Sequence, residues 1–225
     1  MEGNTELPKG KVFLMPIILM IVIGLVLFLP AGSFSYWEAW VYLFEVFILL
    51  FFIPAYFMKK DPGLLARRNQ HKEKERTSAV MLVLSFLNMA SFLIPGFDYR
   101  FHWSAVPVWI SIASSAIVFL GFVLIFFVFK ENSYASAIIQ VEQEQQVIST
   151  GPYAKVRHPM YTALLLIALF TPLALGSYLA LISFFLVTPT IISRLIKEEK
   201  LLMRDLPGYK DYCLKTPYRL IPLIW

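Results

Sequence analysis

Residues 149–161, STGPYAKVRHPMY, hold most of what this chain could use for chemistry. Gly151-Pro152 marks a turn. Pro159 suits the first position of a helix, where its missing N–H costs nothing. The residue before a proline is pushed away from the α region, so His158 is expected to sit extended at the helix mouth. Arg157, His158 and the first free N–H groups of a helix then meet at one point, and such a point attracts anions. Tyr153 and Tyr161 add flat surfaces able to stack on a base. The plainer alternative is a basic juxtamembrane anchor with interfacial tyrosines.

Forty residues after His158 comes a pair of acids, Glu198 and Glu199. Adjacent helical residues point about 100° apart, so the two cannot share a partner geometry. Arg194 lies at i−4 from Glu198 and is positioned to pair with it. Glu199 has no cation at i±4 and reads as a free acid opposite the basic helix mouth, as a zwitterionic ligand would require. Tyr209, Tyr212 and Tyr218 follow and read first as interfacial anchors, second as walls of a pocket. His71, His102 and His158 are far apart, and Cys213 is the single cysteine, so neither a metal centre nor a disulfide framework is expected.

These residues must be positioned by membrane helices. The chain has 225 residues, 58% hydrophobic and only 16% charged, and its mean hydropathy is +0.67. That composition excludes an ordinary soluble domain. Apolar runs predict spans at about 12–30, 37–58, 79–96 and 105–129. A last block, 160–193, is broken by Thr171-Pro172 and Gly176-Ser177 and predicts a helical hairpin. Its arms of about 16 residues would be roughly 24 Å long, short of a 30 Å hydrocarbon core. The fold class expected is therefore an all-α polytopic membrane protein of five to six helices, the last two a short hairpin. It forms one domain, with a four-helix part over 12–130 and a second part over 131–225.

With the N-terminus inside, 19 of the 20 Lys/Arg fall on the cytoplasmic side and only Arg100 lies outside. This positive-inside bias places both termini and residues 149–161 at the cytoplasmic face. The net charge of +5 then belongs to membrane-flanking loops and favours anionic lipids over nucleic acid. Glu45 lies about two turns into the second span, where an ionisable group needs a partner or a cavity, and Asn88 at similar depth is the expected partner.

GPYAKVRHPMY followed by the EE pair resembles the isoprenylcysteine carboxyl methyltransferase and phospholipid methyltransferase superfamily, chiefly its bacterial members. DPGLLARR, ENSYAS, QVISTGPY, PLALGS and LPGYKDY…PYRLIP resemble that group in the same order, covering residue 59 to the C-terminus. The resemblance implies an inner-membrane enzyme with a cytoplasmic pocket for S-adenosyl-L-methionine. It implies that Arg157, His158, Pro159, Tyr161, Glu198 and Glu199 contact that cofactor. Gly151, Pro152 and Tyr153 would close the pocket, and Arg157 and His158 would serve catalysis. Many relatives have glycine soon after the RHPxY tyrosine, where this chain has Thr162-Ala163. The acceptor is expected to be amphiphilic, an isoprenylcysteine-type carboxylate first, with a phospholipid amine or a small thiol as alternatives. Membrane sterol reductases carry a similar RHPxY, so an NADPH-dependent reductase is a second class, and a non-enzymatic scaffold is a third.

Overall fold

The computed structural model describes residues 9–60, 92–134 and 145–225. Among them every regular element is helical. The first helix, α1 (Lys9–Ala31), carries Pro16 and Pro30. The second, α2, runs over Trp37–Lys60 and contains one π turn, Ile48–Phe52. Pro54 explains that turn: a proline within a helix removes an N–H and collides with the carbonyl four residues back, and widening the turn relieves the collision. Helix α3 (Leu93–Phe101) is short, and α4 (Val108–Glu131) is long and apolar. A 3₁₀ turn, Gly151–Ala154, leads to α5 (Pro159–Ala174). A second 3₁₀ turn, Leu179–Leu181, runs into α6 (Ile182–Asp205). Helix α7 (Tyr209–Lys215) ends the helical part.

Among the described residues four helices are long and apolar enough to cross a membrane: Phe13–Ala31, Trp37–Lys60, Val108–Glu131 and Leu179–Asp205, with Pro159–Ala174 shorter. The chain is an integral membrane protein. The hairpin is not symmetric, as the sequence reading had it. Its first arm has the 16 residues expected, whereas the second continues through Glu198 and Glu199 to Asp205. The charges of 194–204 lie along that helix and do not end it. The expected loop at 97–104 is helical as far as Phe101 and is closed by His102 in the left-handed region, φ 53°. Most of the expected third span, with Asn88, lies outside the described residues.

Two close approaches set the packing. A Cβ on Gly121 of α4 would stand 2.7 Å from Ile167 Cγ1, so only glycine lets α5 pack that closely, against fully buried Ala163. A Cβ on Gly96 of α3 would stand 2.6 Å from the Leu27 carbonyl of α1. The end of α5 remote from Pro159 is tied by polar bonds. Tyr36 Oη donates to the Leu175 carbonyl at 2.5 Å. Asp98, only 1% exposed, accepts from Ser104 N–H at 2.7 Å, from Ser104 Oγ at 2.5 Å and from Ser177 Oγ. A buried carboxylate with three donors is stable where a bare one would not be. Glu45 is buried on α2 with Ser115 of α4 in hydrogen-bond range, while its Oε2 has no hydrogen-bond partner among the described residues.

Candidate functional site

Pro159 is the first residue of α5 and His158 is its N-cap, at φ −127° and ψ 62°: it is kept out of the α region, as a residue before proline should be, but is not fully extended as the sequence suggested. The two N–H groups ahead of the helix are taken by a distant segment. Arg157 N–H donates to the Tyr218 carbonyl at 2.9 Å, and His158 N–H to the Arg219 carbonyl at 2.9 Å. Thr162 Oγ1 donates to the Leu220 carbonyl at 2.8 Å. Arg157 Nη1 reaches the carbonyls of Thr216 and Pro217 at 3.2 and 3.1 Å. Residues 216–220 therefore lie as a strap across the RHP stretch.

Arg157, His158 and Glu199 come together as the sequence suggested, and Arg219 joins them. Glu199 is not the free acid that helix spacing implied. Arg157 Nη2 stands 2.8 Å from Glu199 Oε1, and Arg219 Nε donates to Glu199 Oε2 at 2.5 Å. Helix spacing sees only neighbours on the same helix, and both partners come from elsewhere in the chain. The Arg157 contact is close enough for an ion pair but off the line of a hydrogen bond, so Oε1 has an acceptor position to spare. The Arg219 side chain is 35% exposed, against 7% for Arg157. Sequence reasoning missed Arg219; its place in PYRLIP, at the end of the resembling stretch, was the available signal.

Glu198 takes a different partner. Tyr161 Oη donates to Glu198 Oε2 at 2.5 Å, and Arg194 acts on that carboxylate electrostatically, consistent with the expected i,i+4 pair. The rings of His158 and Tyr161 are 5.9 Å apart. Gly151 adopts φ +55°, and a Cβ there would meet Glu131 Cγ at 2.6 Å, so glycine is required. Thr150 Oγ1 donates to Glu131 Oε2 at 2.8 Å, and Asn132 Nδ2 donates to Tyr153 Oη at 3.0 Å. The turn of Gly151, Pro152 and Tyr153 is thus docked on the end of α4. Its other side is held by Tyr212 Oη, which donates to the Tyr153 carbonyl at 2.7 Å. Tyr209 and Tyr212 are buried with Leu206 beside Tyr153, so they are packed walls and not the interfacial anchors first expected.

Burial dominates the electrostatics of His158. It pushes the imidazole down to about 4, with Arg157 and Arg219 acting in the same sense and Glu199 against it. His158 is neutral at pH 7 and can accept a proton or a hydrogen bond there. Burial also pushes the Tyr153 and Tyr209 hydroxyls up, and Tyr212 up to about 12.

Four buried polar atoms of this cluster accept or donate no hydrogen bond among the described residues: Arg157 Nε, His158 Nε2, Tyr209 Oη and Glu199 Oε1, the last held only by its ion pair with Arg157. Buried polar groups are normally satisfied, and a group of orphans in one place calls for a ligand. The set offers donors and an anionic acceptor side by side, which fits a zwitterionic amino-acid group. No cluster of three metal-ligating side chains occurs among the described residues. A cavity of about 240 Å³ lies between α2, α3, α5 and the second hairpin arm. Its wall includes Leu164, Ile167, Val187 and Ile191, and it begins within one turn of Tyr161.

The comparisons with known proteins bear on the sequence signature and the fold. Residues 109–204 match the model of the isoprenylcysteine carboxyl methyltransferase (ICMT) family. An 89-residue stretch is 32% identical to the nickel-cobalt-cadmium resistance protein NccN of Alcaligenes xylosoxydans xylosoxydans, covering 37% of this chain and 40% of that protein. The solved structure of the eukaryotic intramembrane Ras methyltransferase ICMT superposes with a TM-score of 0.60 at 19% identity, over 90% of this chain and 74% of that one. Residues 109–204 thus carry the sequence signature of the isoprenylcysteine carboxyl methyltransferase family, from α4 through Arg157, His158 and the glutamate pair, and the chain has an ICMT-like helical fold.

Proposed function

We propose that this protein is an S-adenosyl-L-methionine-dependent methyltransferase acting on an amphiphilic acceptor at the membrane, most closely a carboxylate of isoprenylcysteine type. The observation that carries the reading is the buried set of groups with hydrogen-bonding capacity unused among the described residues, Arg157 Nε, His158 Nε2, Glu199 Oε1 and Tyr209 Oη, within residues that the family signature largely covers. The second part of the chain, 131–225, would supply the cofactor-binding residues.

When bound, S-adenosyl-L-methionine supplies an activated methyl on a sulfonium, so the transfer requires no metal. The chain's own residues bind and orient. Arg157 Nε would meet the methionyl carboxylate, and Glu199 Oε1 the amino group. Tyr153 and Tyr161 would wall the adenine or face the sulfonium. Pro152 and Gly151 hold the turn that keeps Tyr153 in place. A carboxylate acceptor is ionised at pH 7, so His158 would orient groups and not abstract a proton. The cavity beside α5 suits the apolar part of the acceptor and would help exclude water from the reacting atoms. Alignment of nucleophile, methyl and sulfur is the main demand on such a site. Both termini and the site would face the cytoplasm of the inner membrane, where a soluble cofactor can reach them.

Titration of the purified protein with S-adenosylhomocysteine and, separately, with NADPH tests the reading. Saturable binding of S-adenosylhomocysteine alone is expected. Binding of NADPH alone would replace it with the reductase class, and binding of neither would favour the scaffold.

A further inference from the structure

We infer that Arg219 is the acceptor-side cation of this site, holding the anionic head of the acceptor while it supports Glu199. This rests on the methyltransferase reading above and names the residue that would select the acceptor's charge. The two arginines of the cluster are spent differently. Arg157 is buried, with Nη1 on the carbonyls of Thr216 and Pro217 and Nη2 against Glu199. It has nothing left but Nε, which is enclosed. Arg219 gives Glu199 only its Nε–H, and its guanidinium rests 5.4 Å from the centre of the Trp225 ring. Its two Nη nitrogens have no protein partner among the described residues, and the side chain is about one-third exposed.

A guanidinium presents its donors as a planar fork that matches a carboxylate or phosphate. With Nε engaged and the ring stacked, the fork's direction is fixed while its ends stay open. The charge balance favours the same partner. Arg157 and Arg219 are two cations against the one carboxylate they share, Glu199. Glu198 is occupied by Tyr161 and Arg194. On the Arg219 side, away from Glu199 Oε1, that excess of positive charge favours an anionic acceptor head over an ammonium head. The Arg219 carbonyl also holds the His158 N–H, so the guanidinium is fixed to the same strap that frames the helix mouth. Arg219 stands just outside the buried cluster, where an amphiphile with its tail in the membrane and its head at the boundary would present a charge.

The test uses the full chain in nanodiscs with two probes, N-acetyl-S-farnesylcysteine and its uncharged carboxamide. S-adenosylhomocysteine binding is measured alongside. The wild type should bind the acid about tenfold or more tighter than the amide, the usual range for a charge-assisted contact. Arg219→Gln should bring that ratio close to one, and Arg219→Lys should retain most of it. An acid-to-amide ratio unchanged in Arg219→Gln overturns the inference, even if its S-adenosylhomocysteine affinity falls; Arg219 would then only support Glu199. No preference for the acid in the wild type overturns it while leaving the cofactor reading intact. Loss of S-adenosylhomocysteine binding in the wild type defeats the methyltransferase reading instead, and the acid-to-amide ratio still judges Arg219.

Discussion

Tyr161 Oη donates to Glu198 Oε2 at 2.5 Å, a bond that joins the first turn of α5 to the last third of α6. It is the polar member of a contact that is otherwise apolar, since Tyr161 packs with Leu195 and Leu220. Tyr161→Phe keeps that packing and leaves Glu198 without its donor. The expected cost is about 1–3 kcal/mol of stability, the penalty for a largely enclosed acceptor left unpaired. Thermal unfolding in detergent should show a lowered midpoint. An unchanged midpoint would mean that Arg194 alone satisfies Glu198.

Glu199 requires a different prediction, because it is 5% exposed between two arginines. Glu199→Gln removes the charge that both arginines face. Breaking one partner of a buried ion pair typically costs about 3–5 kcal/mol. A lost charge-assisted bond to the cofactor would cost about 1.5–3 kcal/mol in affinity. Both the unfolding midpoint and the S-adenosylhomocysteine affinity should therefore fall. A variant as stable as the wild type would argue against the ion pairs.

The imidazole of His158 sets a pH window. Its folded value is about 4 against an ordinary 6.5, so between those values the unfolded chain takes up a proton that the folded chain does not. This contribution is fully present above pH 6.5 and is lost as pH falls through 4, by roughly 3 kcal/mol. His158→Asn should flatten the dependence of unfolding midpoint on pH across that window. An equally steep dependence in the variant would assign it to other groups.

The same residue separates positioning from proton transfer. With a carboxylate acceptor, His158→Asn should lose turnover chiefly through cofactor affinity, and saturating cofactor should restore most of it. Removal of a general base typically costs about 10²–10⁴-fold at saturation. A variant that binds S-adenosylhomocysteine normally yet cannot turn over would make His158 the base and point to an amine acceptor.

Topology is open to a direct test. Cysteines placed at Ser104 and at Lys155 should label from opposite sides of the membrane, because Ser104 lies by the Asp98 clasp and Lys155 lies just before α5. Labelling from one side would remove the positive-inside assignment.

Much of this architecture was legible in the sequence. The Gly151 turn, the non-helical His158 and the first-turn Pro159 followed from backbone rules that act over two or three residues. The apolar runs located α1, α2 and α4 because burial in hydrocarbon leaves a long contiguous signal. Three features were not legible. The second hairpin arm outran its apolar stretch, since Arg194, Lys197 and Glu198 lie along a helix that extends past hydrocarbon. Tyr209 and Tyr212 looked like interfacial anchors because composition cannot show that α7 packs against the Tyr153 turn. Arg219 escaped notice because its link to Glu199 joins residues 20 apart that no helical periodicity relates.

The strap has a consequence for the order of assembly. The bonds from Arg157, His158 and Thr162 to residues 216–220 link backbone positions about 60 residues apart, whereas α5 and α6 meet through a short turn. Contacts of long sequence separation form late, because loop closure must come first. The membrane helices can thus be inserted and packed while the helix mouth is still unframed. Competence would then be gained in a final step outside the bilayer, after the part of folding that the lipid drives is complete.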